Sequence, residues 1–98
     1  MKLRPVLLLT GSIGPIPEVL VAYISSVVPP SLLPSDMLVD PAEPKFRSTN
    51  WKTVSVLRLH KLATIHARSV VRRLGVLEPS LRGAVGVRLR ELLELEVR

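Results

Sequence analysis

Few kinds of side chain in these 98 residues could do chemistry. There is no cysteine, which excludes disulfides and thiolate zinc sites. The two histidines, His60 and His66, are too few for a dedicated metal cage. No metal or other cofactor is therefore expected. What the chain has in excess is positive charge: 14 Lys and Arg stand against 8 Asp and Glu, a formal net charge of +6. That excess is confined to one half. Up to residue 50 cations and carboxylates balance, whereas residues 51–98 hold ten Lys and Arg against four Glu. A basic half favours a polyanion, RNA or DNA, held through its phosphates. A merely solvated basic surface has the same composition, so charge leaves both readings open.

The elements that would position those cations can be read from periodicity and punctuation. The length allows one small domain, 1–98. With 47% apolar residues but only 3% aromatic, its core would be aliphatic. "PVLLLT" (5–10) is a short apolar run closed by "GSIGPIP", which fits a buried strand and a loop. "EVLVAYISS" (18–26), rich in β-branched residues, reads as a second strand. Prolines from Pro29 to Pro44 leave room only for a short edge piece, "DMLVD" (36–40). "TVSVLRLH" (53–60) alternates as a strand and "KLATIH" (61–66) continues it. "SVVRRLG" (69–75) reads as one more strand, ended by Gly75. The period then changes. Glu78 and Pro79 open a helix over about 79–95, with Leu81, Val85, Leu89, Leu92 and Leu93 on one stripe. Strands followed by one helix give a mainly β fold, a small barrel or half-barrel with a C-terminal helix packed on it.

Lys2 and Arg4 ahead of "PVLLLTGSIG" have the charge order of a leader peptide. Pro5 heads that run, however, Val6–Leu9 is short, and no small-x-small cleavage site follows. Val19–Leu33 is interrupted by Pro29 and Pro30 and falls short of the roughly 20 residues of a membrane span. The sequence reads as a soluble cytoplasmic protein with no membrane partner.

Four pieces in order, "KLRPVLLLT", "VLVAYISS", "SVLRLHKLATIH" and "VVRRLGVLEPSL…VRLRELLEL", resemble the MazF/PemK toxins of type II toxin–antitoxin systems. The resemblance covers nearly the whole chain. It implies an SH3-like barrel, a homodimer, and metal-independent endoribonuclease cleavage of single-stranded RNA that inhibits growth. It also implies a cognate antitoxin lying over the active groove, and DNA binding by the toxin–antitoxin complex. In that family a strand and a Gly-, Glu- and Gln-rich loop precede the Arg-Pro strand. By that comparison Met1 stands inside the domain and the barrel is incomplete at its N-terminus. The absent strand would leave an apolar strip beside Val6, Leu8 and Val21, so dimerisation, aggregation or dependence on an antitoxin segment is expected.

The resemblance also assigns residues. Arg4 matches the family's Arg-Pro arginine, whose planar fork suits a phosphate. Ser25 falls where the family has Thr, and Ser26 is a neighbour able to take the same role. Arg58 matches the arginine of V-V-R-x-D, and His60 stands at the acidic position proposed there as general base, a departure that histidine chemistry still permits. These four are the expected catalytic set. Arg68, Arg72 and Arg73 are expected on an RNA-facing rim, and His66 stands at a turn position. Each has a plainer reading beside it: a solvated strand arginine, a turn-capping serine, a partly exposed strand histidine. With the family's first strand absent, a non-catalytic remnant that binds RNA, DNA or antitoxin is the alternative.

Overall fold

The computed structural model describes residues 4–95, so Lys2 of the opening segment lies outside it. Four strands, β1 (Val6–Leu8), β2 (Glu18–Ser25), β3 (Asp36–Val39) and β4 (Ser55–His66), precede one helix, α1 (Pro79–Leu92). The strands form an all-antiparallel sheet in the order β1-β2-β4-β3, curled into a half-barrel. The mainly β fold with a C-terminal helix is therefore as its patterning predicts. β4 is the spine. Val56–Arg58 and Leu62–His66 pair with β2, and its first four residues also pair with β3, which sits on the sheet edge. Short 3₁₀ turns lie at Pro44–Thr49 and Ala67–Ser69.

The core lies between the concave face of the sheet and α1. Ala22, Met37, Val39, Leu57 and Leu59 meet Phe46 of the first 3₁₀ turn and Leu81 and Val85 of the helix. The helical stripe faces this core as its spacing requires. Leu81 and Val85 are buried, Leu89 is half-buried against them, and Leu93 is exposed at the end. Pro79 occupies the first turn. Glu78 caps with its backbone only, while its carboxylate accepts from the Ser80 hydroxyl at 2.8 Å.

One expected strand is absent. After the Ala67–Ser69 turn, residues 70–78 form no regular element, against the strand expected over 69–75. The reason is where its backbone groups go. The Val76 N–H donates to the Ser48 carbonyl at 2.8 Å, and the Leu74 carbonyl accepts from Asn50 Nδ2 at 3.0 Å. The segment is thus strapped onto the 3₁₀ turn instead of joining a sheet edge, and Val71, which a strand would bury, is exposed.

Leu59 has no exposed surface and sits where the sheet meets the helix-side core. Leu59→Ala should cost about 2–5 kcal/mol in urea denaturation. That is a large part of the about 5–15 kcal/mol of a typical domain. Val87→Ala on the exposed face of α1 should change stability by less than about 0.5 kcal/mol.

Candidate functional site

An open groove of about 1210 Å³ runs across the sheet face where β2 ends. Five segments line it. The lead-in to β1 contributes Arg4. The end of β2 contributes Tyr23, Ser25 and Ser26, and the turn before β4 contributes Asn50, Trp51 and Lys52. β4 supplies Arg58 and Lys61, and the 70–78 strap supplies Arg72 and Arg73. Six of the lining side chains are cationic, and none is a carboxylate or an imidazole. A second depression, about 300 Å³ between β3 and α1, carries both signs of charge, Asp36 and Glu43 with Lys45 and Arg88.

The strap and the turn before β4 hold each other in place. Asn50 adopts the left-handed conformation (φ 55°), which Asn tolerates better than most residues. This conformation lets its side chain reach the strap while Trp51 turns toward β4. Trp51 Nε1 donates to Ser55 Oγ at 2.6 Å, and the Trp51 N–H donates to Thr49 Oγ1 at 3.2 Å. At the other contact a Cβ on Gly75 would collide with the Ser48 carbonyl oxygen and the Thr49 backbone. Only a glycine lets the strap lie this close, and this closeness carries Arg72 and Arg73 to the groove.

On β4 the groove side chains are set by a buried ion pair. Arg58 Nε donates to Asp36 Oδ1 at 3.0 Å and Arg58 Nη2 donates to Oδ2 at 3.3 Å. The Asp36 side chain has no exposed surface, whereas Arg58 keeps 20% of its own. Burial alone pushes the Asp36 carboxyl up. The Leu33 N–H on Oδ2 at 2.9 Å, the Arg58 guanidinium and the nearby His60 outweigh it, and hold the group below its ordinary value of 3.8.

The sequence-assigned residues fall into two groups. Arg4, Ser25, Arg58, Arg72 and Arg73 meet in the groove. Of these, Ser25 also closes a local turn: its hydroxyl accepts from the Val27 N–H at 3.1 Å. His60 lies elsewhere, its Nδ1 3.1 Å from Ser35 Oγ and 3.8 Å from Asp36 Oδ1. Arg68 does not line the groove; its N–H donates to His66 Nδ1 at 3.0 Å, capping the second 3₁₀ turn. Lys52, Lys61, Trp51, Tyr23 and the carboxylate of Asp36 were not singled out by the sequence. For Asp36 a signal existed, a lone carboxylate opening an apolar four-residue run.

The presence of Lys61 in the groove has a structural cause. Ala22 pairs with Leu62, but the next residue of β2, Tyr23, pairs with Arg58, so Leu59, His60 and Lys61 bulge out without partners on β2. A bulge changes which face each later side chain takes. Alternation still holds across positions 58 and 60, which both reach Asp36 Oδ1, and is inverted only after His60. Here Lys61, and not His60, joins Arg58 in the groove.

Neither a protein-family model nor a curated protein sequence matches the chain. Solved structures do. The Mycobacterium tuberculosis toxin MazF-mt6 superposes with a TM-score of 0.73 at 25% identity, over 96% of this chain and 89% of that one. A crystal structure of an Mtb toxin gives 0.69 at 24% identity, over 90% of each chain. The chain has a MazF-like fold. Among the described residues of this MazF-like domain, no three His, Cys, Asp or Glu cluster as metal ligands would, and no helix is long and apolar enough to cross a membrane.

Two outcomes test the supports of the groove. Gly75→Ala should destabilise the fold by about 1–3 kcal/mol, as overpacking does, and should hasten tryptic cleavage after Arg72 and Arg73. Asp36→Asn leaves the Arg58 charge without its partner. It should cost toward the lower end of the about 3–5 kcal/mol of a broken buried pair, because Arg58 is partly in water. The depressed Asp36 value makes its contribution complete above pH 4 and progressively lost as pH falls through the folded-state value. Melting temperature measured against pH should therefore fall less steeply below about pH 4 in Asp36→Asn than in the wild type.

Proposed function

We propose that this MazF-like chain is the toxin of a type II toxin–antitoxin system and cleaves single-stranded RNA without a metal. The observation that carries the reading is the groove: six cations and no carboxylate, on the sheet face of a MazF-like fold. Such a surface attracts polyanions, and a polynucleotide is the polyanion long enough to engage all five lining segments. Cleavage would run through attack of a ribose 2′-oxygen on the adjacent phosphorus. The P–O5′ bond breaks, leaving a 2′,3′-cyclic phosphate and a 5′-hydroxyl. Arg4, exposed at the groove mouth, holds the phosphate and stabilises the phosphorane. The hydroxyls of Ser25, Ser26 and Tyr23 are neutral donors that line the groove. On this reading the chain acts in the cytoplasm as a homodimer, is neutralised by a cognate antitoxin, and binds DNA as the toxin–antitoxin complex.

A second reading is favoured by a specific observation. Arg58's fork is occupied by Asp36, Ser25's hydroxyl closes a turn, and no imidazole or carboxylate is at hand as a base. A groove so furnished would bind RNA or antitoxin without cutting.

Incubation with a long single-stranded RNA in EDTA separates the two. Cleavage is expected, reduced about 100-fold or more in Arg4→Ala, the scale of losing one charge-stabilising donor. The rate should keep rising with pH through neutrality, with no break near pH 6.5, because no histidine lines the groove. His60→Gln should cleave at close to the wild-type rate. RNA bound but left intact would decide for the binding module.

A further inference from the structure

We propose that Lys61 is a phosphate-gripping side chain of the groove, placed there by the β4 bulge, while Arg58 stays tied to Asp36. This deepens the RNA-binding reading above and rests on it.

Three observations converge. The first is parity. Leu59 enters the core and its N–H donates to the Ser35 carbonyl at 3.1 Å, so β4 leans toward β3 there instead of pairing with β2. His60 is carried over Ser35 and Asp36 by the same lean. The three unpartnered residues then return β4 to its β2 pairing at Leu62, and Lys61 emerges on the groove side next to Arg58. Without the bulge, position 61 would point to the opposite face from position 58.

The second is charge. Arg58 meets both oxygens of a fully buried carboxylate, so its net field is largely cancelled and its fork is engaged. Turning it toward a phosphate would strand Asp36 without its counter-ion, a costly arrangement. Lys61 lies beside it, exposed, and among the described residues has no carboxylate within ion-pair distance. It is the uncompensated cation that β4 contributes to the groove.

The third is chemistry. An ammonium is a compact point charge on a flexible stem, able to follow a backbone phosphate without a fixed fork geometry. The ligand class that fits is a phosphodiester of a single strand, whose neighbouring phosphates would reach Arg4, Arg72 and Arg73 in the same groove.

The test uses the full chain and a fluorescein-labelled 2′-O-methyl oligoribonucleotide, which lacks the attacking hydroxyl and so reports binding apart from cleavage. Anisotropy titrations over a range of salt give the slope of log K against log salt. Lys61→Gln should lower the magnitude of that slope by about 0.7, the value of one phosphate contact on a single strand. Lys61→Arg should restore it, and His60→Gln, on the same bulge, should leave it unchanged. Unfolding midpoints measured in parallel confirm that Lys61→Gln remains folded. A wild-type slope in Lys61→Gln would overturn the proposal, as would an equal loss in His60→Gln, since the effect would then belong to the bulge and not to the ammonium. If the wild type fails to bind the oligonucleotide at low salt, the RNA reading itself is wrong and this proposal goes with it. Wild-type binding with an unaltered slope in the variant instead removes Lys61 alone.

Discussion

Asp36 is the point on which the rest of the site depends. It opens a strand of only four residues that follows a proline-rich loop, a location with little intrinsic order. Its carboxylate accepts from the Leu33 N–H while its own N–H donates to the Leu33 carbonyl at 2.9 Å, so one residue closes the loop from both sides. The same carboxylate takes the fork of Arg58, its register partner on β4. Burying a charge pair adds little net stability compared with an apolar pair of equal size. What it does is select register. If β3 slipped by one residue, Arg58 would face away from Asp36 and both charges would be stranded in a dry site. That penalty holds the short edge strand to one alignment. The alignment in turn fixes where β4 leaves β3 and where its bulge begins.

The opposite wall of the groove is fixed by a different means, close backbone approach. The 70–78 strap has no sheet of its own, so its polar groups are satisfied against the Pro44–Thr49 turn. This turn is anchored to the core by Phe46, which is buried. The Trp51 ring packs against that core and is locked through its indole N–H on Ser55, itself nearly inaccessible. A chain of contacts therefore runs from the core through Phe46, Asn50 and Gly75 to the paired arginines at the rim. Two arginines that composition alone assigns to a solvated surface are given a definite place by a glycine and an asparagine.

This division explains what was legible in the sequence. Alternation and turn residues were enough for β1, β2, β3 and the long β4, and the 81/85/89 stripe was enough for α1, because each reflects burial of one face against one core. They failed at 69–75. There Val70, Val71 and Leu74 suit a strand, but the backbone partners lie some 25 positions away in a 3₁₀ turn that no local pattern announces. On β4 a period-two reading holds through His60, since Leu57 and Leu59 enter the core while Arg58 and His60 both reach Asp36, and it inverts between His60 and Leu62. A bulge is set by long-range pairing of β4 with two different strands, and neither partner's register is visible from residues 53–66 alone. Asp36 and Lys61 were overlooked for the same reason: their importance comes from what lies across the sheet.

The charge pattern of the groove also bears on what kind of chemistry it can support. Six cations gathered on one face repel one another, yet the cost is small because the face is open to water and salt. A bound phosphodiester converts that repulsion into attraction, and most strongly for the penta-coordinate phosphorane, which carries more negative charge than the ground state. A site built this way lowers a barrier by stabilising charge rather than by moving protons. β4 contributes to that choice, since its His60 is engaged with Ser35 beside Asp36 while the bulge that follows brings the Lys61 ammonium to the groove. Under the proposed RNA cleavage, proton transfer would fall to solvent and to neutral hydroxyls, and the rate would depend on how closely the groove's cations follow the phosphate as it changes geometry. The supports on either side, the Asp36–Arg58 pair and the Gly75 contact, limit how far those cations can drift from that path.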